Sequence, residues 1–288
     1  MSVRTLSALS LICCAFVATA SAAEPKDDDR PVEKPKSPAV EQARDDALPT
    51  LYLIGDSTVK VGTAGQRGWG EEIGAFFDSS RINVVNRAIG GRSSRTFLTD
   101  GRWDPIVADL KPGDVVLIQF GHNDGGPIND DFRARGTIRG IGDEEETIDN
   151  ILTKKRETVH SYGWYLRKYV RDARAKGATP IVCSLVPRKI WEDGRIVRGH
   201  ETYAGWARDV AHQENALFLD LNEIIARGYE RLGPEAVEAF FADKHTHTTA
   251  EGARFSAESV VAGLKALPGD PLAGTYSELG ASIAPYER

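Results

Sequence analysis

Side chains able to do chemistry gather in four short stretches of the 288-residue chain. In Ile54-Gly55-Asp56-Ser57-Thr58, a serine follows an apolar run by way of Gly-Asp. A serine so placed sits on a tight turn. It either attacks as a nucleophile, once a neighbouring base takes its proton, or simply caps the turn. In Asn86-Arg87-Ala88-Ile89-Gly90-Gly91-Arg92-Ser93-Ser94-Arg95, paired glycines let backbone N–H groups approach a ligand with no Cβ in the way; a plain glycine loop reads the same. In Gly121-His122-Asn123-Asp124, the Asn123 amide can donate to a developing oxyanion or make an Asx turn. In Asp243-Lys244-His245-Thr246-His247-Thr248-Thr249, a histidine just ahead of a predicted helix is a candidate general base. Two histidines and an aspartate also suit a metal. Zinc sites usually need a third protein ligand, which only His122 offers, so no metal is expected.

These stretches form one site only if the fold gathers them. Near-continuous apolar runs occur at 51–54, 82–85, 115–120, 181–186 and 217–219. They are rich in Val, Ile and Leu, as in parallel strands covered on both faces. Helical candidates lie between and after them, at 69–78, 103–110, 158–176, 202–214 and 250–267. Alternating β and α predicts a three-layer α/β/α sandwich around a central, mainly five-stranded parallel sheet. Ligands of such sheets bind beyond the carboxyl ends of the strands. The stretches at 56–57, 86–95 and 121–124, and the loop after Val186, fall there.

Composition narrows the partners. There are 36 Lys+Arg against 42 Asp+Glu, a net charge of -6, which argues against nucleic acid or an anionic membrane as the main partner. No apolar run reaches membrane-spanning length. Residues 1–22 read as a signal peptide: Arg4, a short apolar core, then Ala20-Ser21-Ala22. Secretion, to a periplasm or the medium, is therefore expected. Its removal takes two of the three cysteines and leaves Cys183, so no intrachain disulfide is expected. Residues 23–48, charged and punctuated by proline, read as a disordered linker. One domain is expected over 49–268, then a C-terminal tail, 269–288, without clear periodicity. A monomer is expected.

Taken together, the four stretches resemble the SGNH or GDSL hydrolase superfamily, closest to its rhamnogalacturonan acetylesterase-like branch. The carrying residues are Tyr52 to Val59, Gly68-Trp69-Gly70-Glu71, Asn86 with Gly91-Arg92-Ser93, Phe120 to Gly126, and His245-Thr246-His247-Thr248. They cover roughly residues 50 to 265. The resemblance implies a flavodoxin-like SGNH fold and a serine esterase without cofactor or metal. It implies Ser57 as nucleophile and His247 as base, with an oxyanion hole from the N–H groups of Ser57 and Gly91 and the amide of Asn123. Acetylated polysaccharide or oligosaccharide of pectin type is the implied substrate. A histidine base acts only when neutral, so activity should fall on acidification.

The chain departs from the superfamily pattern at the acid. The usual spacing is Asp-x-x-His, but Lys244 stands three residues before His247 and Asp243 stands four before. We expect Asp243 to orient His247, and His245 to be structural or substrate-facing. The long stretch 125–150 carries Arg133, Arg135 and Arg139, which suit uronate carboxylates by charge-assisted bonds. Trp191 is the expected sugar platform, with His122 and Arg92 as further substrate contacts. A small-ester lipase or thioesterase would want an apolar acyl groove, and no loop here is obviously apolar. A non-catalytic carbohydrate-binding relative would be indifferent to loss of Ser57. A flavodoxin-like cofactor binder would leave His247 without a task.

Overall fold

A computed structural model describes residues 44–287. The expected signal peptide and the linker up to residue 43 lie outside the described residues. The strands are β1 Thr50–Gly55, β2 Asn83–Asn86, β3 Val115–Gln119, β4 Glu145–Asp149, β5 Arg156–His160, β6 Thr179–Cys183, β7 Trp191–Glu192, β8 Arg195–Ile196 and β9 Leu217–Leu219. Five form a parallel sheet in the order β2-β1-β3-β6-β9. β4 with β5, and β7 with β8, are separate antiparallel pairs. The helices are α1 Ser94–Thr99, α2 Asp104–Asp109, α3 Tyr162–Ala175, α4 Tyr203–Gln213, α5 Leu221–Leu232, α6 Pro234–Glu238, α7 Ala250–Lys265 and α8 Glu278–Ser282.

Successive strand side chains point to opposite faces, and both faces are covered. Leu51, Leu53, Leu117, Ile181 and Cys183 enter one core with residues of α5 and α7. Tyr52, Ile54, Ile118 and Val182 enter the other with residues of α1 to α4. Each fully buried aliphatic side chain contributes about 1.5–3 kcal/mol. This double burial explains why the strands read as unbroken apolar runs, and it makes the three-layer α/β/α sandwich expected above. The sheet order reverses direction between β1 and β3. That is the switch point, where a crevice opens beyond the strand ends.

Several elements differ from expectation. The helix expected at 69–78 is two 3-10 turns, Trp69–Glu71 and Ile73–Phe76. The N–H groups of Trp69 and Gly70 bond the carbonyls of Thr58 and Val59 at 3.0 Å each, which ties this segment to the loop after β1. The helix expected from 158 begins at Tyr162, because Ser161 caps it and the residues before it pair with β4. The supposed long loop 125–150 therefore contains a strand, and α1 and α5 stand where no helix was expected. Residues 44–48, the end of the supposed linker, pack on the sheet: Asn83 Nδ2 donates to the Asp45 carbonyl at 2.8 Å. Residues 269–287 also pack, with the Ser277 N–H bonding the Phe76 carbonyl at 3.0 Å and the Tyr286 N–H bonding that of Ala262 at 2.8 Å.

Candidate active site

Ser57 stands on the turn leaving β1. Asp56, fully buried, ties that turn together: its Oδ1 accepts the Thr58 N–H at 2.9 Å and the Thr58 hydroxyl at 2.7 Å. The Thr58 Oγ1 accepts from Gln119 Nε2 at 2.8 Å, and Gln119 Oε1 accepts from Trp69 Nε1 at 2.7 Å. An indole N–H can only donate. Trp69 therefore fixes the Gln119 amide, which leaves the Thr58 hydroxyl to donate to Asp56, so every bond in the chain runs one way. Burial raises the Asp56 pKa above the usual carboxylate range, against the two bonds from Thr58.

Ser57 Oγ lies 2.9 Å from His247 Nε2, and His247 Nδ1 lies 2.5 Å from Asp243 Oδ2. The four-residue spacing is accommodated by a nest. Asp243 Oδ1 accepts the N–H groups of His245, Thr246 and His247 at 3.1, 2.8 and 2.9 Å. One carboxylate thus shapes the turn with one oxygen and holds the ring with the other. Burial alone would raise the Asp243 pKa, but the bonds from the His247 ring and the backbone outweigh it and hold the carboxyl well below its usual range. The turn is also stitched to the segment after Ser57. The Arg67 N–H bonds the Thr248 carbonyl at 2.8 Å, and Thr248 Oγ1 bonds the Arg67 carbonyl at 2.7 Å. Thr249 then caps α7.

Across from the serine, the position where a Gly90 Cβ would stand is 3.6 Å from the Ser57 Cβ. Gly91 has φ +76°, a conformation that favours glycine. Neither the Ser57 nor the Gly91 N–H donates to a protein acceptor among the described residues. Asn123, 4% exposed, donates one amide hydrogen to the Arg92 carbonyl at 2.9 Å, which orients the amide and leaves its second hydrogen for a ligand. Asp124 ties this loop to α1, accepting the Ser94 N–H at 3.1 Å and its hydroxyl at 2.5 Å. Burial pushes the Asp124 carboxyl up to about 7.

Burial and the Arg188 guanidinium hold the His122 ring well below the usual histidine range. Arg92 pairs with Asp100 at 2.7 Å. Arg133 lies over the Phe132 ring and Arg139 over the Tyr203 and Trp206 rings. Arg135, 8% exposed, stands beside Gly91. Trp191, in β7, packs its half-buried ring against the core. His245 is buried, its Nδ1 2.7 Å from Thr246 Oγ1. Sequence reasoning missed Gln119 and the Arg67–Thr248 stitch. Gln119 carries a signal, being the one polar residue in an otherwise apolar strand; Arg67 and Thr248 carry none.

Beyond the strand ends of the parallel sheet, a serine hydroxyl lies within hydrogen-bond distance of a histidine that a carboxylate holds, the arrangement a serine hydrolase requires. The sequence profile of the GDSL-like Lipase/Acylhydrolase family matches residues 53–255, and the chain belongs to that family. It is 35% identical over 210 residues to the rhamnogalacturonan acetylesterase of Emericella nidulans, covering 73% of this chain and 82% of that one. It is 33% identical to the probable rhamnogalacturonan acetylesterase YesY of Bacillus subtilis, covering 75% of this chain and 93% of that one. Among solved structures it resembles YxiM of Bacillus subtilis, with a TM-score of 0.60 at 24% identity over 76% of this chain and 56% of that one, a likeness of fold. The protein is a carboxylic ester hydrolase.

Proposed function

We propose that the protein is an exported serine esterase that removes O-acetyl groups from a pectin-type polysaccharide of the rhamnogalacturonan kind. The unbroken line from Asp243 through His247 to Ser57 carries the mechanism. Ser57 Oγ attacks the acetyl carbonyl as His247 Nε2 takes its proton. The carbonyl oxygen gains negative charge beside the N–H groups of Ser57 and Gly91 and the amide of Asn123. Collapse expels the sugar oxygen, which takes the proton back from His247, and the acetyl group stays on Ser57. Water then attacks, giving its proton to His247, and acetate leaves as Ser57 is reprotonated. Asp243 keeps the His247 proton on Nδ1, so that Nε2 faces the serine as an acceptor.

The relatives support the substrate class, and the sequence of residues 1–22 supports export. The test is acetate release from acetylated rhamnogalacturonan, acetylated xylan and p-nitrophenyl acetate, with Ser57→Ala beside the parent. We expect rhamnogalacturonan to be the preferred polymer and Ser57→Ala to lose on the order of 10⁶-fold in kcat. Release that survives in Ser57→Ala would overturn the mechanism. A preference for xylan would overturn the substrate.

A further inference from the structure

We propose that Asp124 is a positioning residue for the reaction: through Ser94 it fixes the spacing of the two loops that carry Gly91 and Asn123, and so aims the Asn123 amide at the ester oxygen. This rests on the esterase reading above and deepens it. The Asn123 amide is oriented from outside its own loop, by the Arg92 carbonyl 2.9 Å away in the loop after β2. The direction of its second hydrogen therefore depends on how far apart the two loops stand. One residue further on, Asp124 Oδ1 accepts both the N–H and the hydroxyl of Ser94, at 3.1 and 2.5 Å. Ser94 lies two residues beyond Arg92, so the amide and the carboxylate grip the same short segment side by side.

Asp124 can set that spacing because Ser94 is anchored to the core. Both residues are fully buried. The Ser94 carbonyl accepts the hydroxyl of Tyr169, from α3, at 2.5 Å, and the Tyr169 ring packs against those of Phe97, Trp103 and Phe120. Ser93, beside it, caps α1 by accepting the Thr96 N–H at 3.1 Å. The carboxylate is aimed by its own loop: the Asp124 N–H bonds the Gly121 carbonyl at 3.3 Å, and the Asp124 carbonyl accepts the Thr137 N–H at 3.0 Å. The Ser94 N–H opens α1, where a helix offers it no acceptor of its own. Without the carboxylate, this N–H and the Ser94 hydroxyl lose their acceptor where water does not reach, and the Asn123–Arg92 bond loses its neighbour. A shift of about 1 Å in a group that must meet developing charge costs up to about 10²-fold in rate.

The test is a double-mutant cycle read in kcat and KM on p-nitrophenyl acetate. Asp124→Ala should lower kcat about 10- to 100-fold and leave KM within about twofold of the parent. The same change made in Asn123→Ala should cost less than about twofold more, because the amide it aims is already gone. Asp124→Asn, whose amide oxygen can accept both Ser94 donors, should recover most of the loss. Unchanged kcat in Asp124→Ala overturns the inference. So does a full further loss in the Asn123→Ala background, which is what a merely structural role gives, and so does Asp124→Asn no more active than Asp124→Ala. Should Asp124→Ala not fold, Ser94→Ala, which removes one of the two donors, takes its place in the cycle. A smaller loss that vanishes in Asn123→Ala is then expected, and an unchanged kcat or a full further loss overturns the inference. Hydrolysis that persists in Ser57→Ala is a separate result: it sinks the esterase reading, and this inference with it.

Discussion

The turn after β1 and the turn before α7 present one side chain each to the same point, yet they are held in opposite ways. Ser57 is held from beneath by the buried chain from Trp69 through Gln119 and Thr58 to Asp56. His247 is held from within its own turn by one carboxylate, and the Asp243 and His247 side chains remain 23% and 20% exposed. The proposed nucleophile is fixed by the core, and the proposed base by a local nest. Damage to the first should therefore appear mainly as lost stability, and damage to the second mainly as lost rate.

The largest expected effect that sharpens this contrast is at Asp243. In Asp243→Asn the amide oxygen can still accept the three backbone N–H groups. The amide nitrogen, however, faces His247 Nδ1 and drives the ring into the wrong tautomer. We expect a loss of about 10⁴-fold in kcat on p-nitrophenyl acetate with a change in unfolding free energy of less than about 1 kcal/mol. A large stability loss with intact rate would break the contrast. Next, Asn123→Ala should cost about 10²- to 10³-fold in kcat by removing one oxyanion donor. Full activity would take the Asn123 amide out of the hole.

Asp124 gives a pH signature. Its folded pKa is raised, so between the ordinary carboxyl value near 4 and about 7 the folded state binds more protons than the unfolded state. Stability from this group falls as pH rises through that window, by a few kcal/mol. Urea unfolding of Asp124→Asn from pH 4 to 8 should show a flatter profile than the parent, and matching profiles would contradict the raised value. Asp243 is shifted the opposite way and stays ionised throughout this window, so loss of activity on mild acidification should not come from it. The smallest effect is at Gln119. Gln119→Leu leaves the buried Trp69 N–H without its acceptor and should cost about 1–3 kcal/mol of stability. Its rate loss should be far smaller than that of Asp243→Asn.

The parallel sheet was legible because burial on both faces leaves an apolar signal that no polar alternation interrupts, as at 115–118. Ser57, Gly91 and Asn123 were legible as residue types in loops that follow strands, and His247 as one just ahead of a helix. Asp243 was legible as a residue, but the nest that accommodates its spacing was not, since it consists of backbone N–H groups. The β4 strand was hidden because only Ile148 of its five side chains is buried. α3 starts four residues later than its apolar pattern suggests, because Val159 and Tyr162 continue that pattern across the Ser161 cap. α5 was missed although Asp220 caps it and Leu221, Ile225 and Tyr229 share one face. The packing of residues 269–287 rests largely on backbone bonds, which composition does not register.

The most direct test is to find the acyl group. The protein would be mixed with p-nitrophenyl acetate, quenched in acid within the pre-steady-state burst, digested and mapped by mass spectrometry. Acetyl should appear on the peptide containing Ser57, be absent in Ser57→Ala and form far more slowly in Asp243→Asn. Acetate released with no acetyl ever found on Ser57 would contradict a serine nucleophile and the line of three residues that activates it.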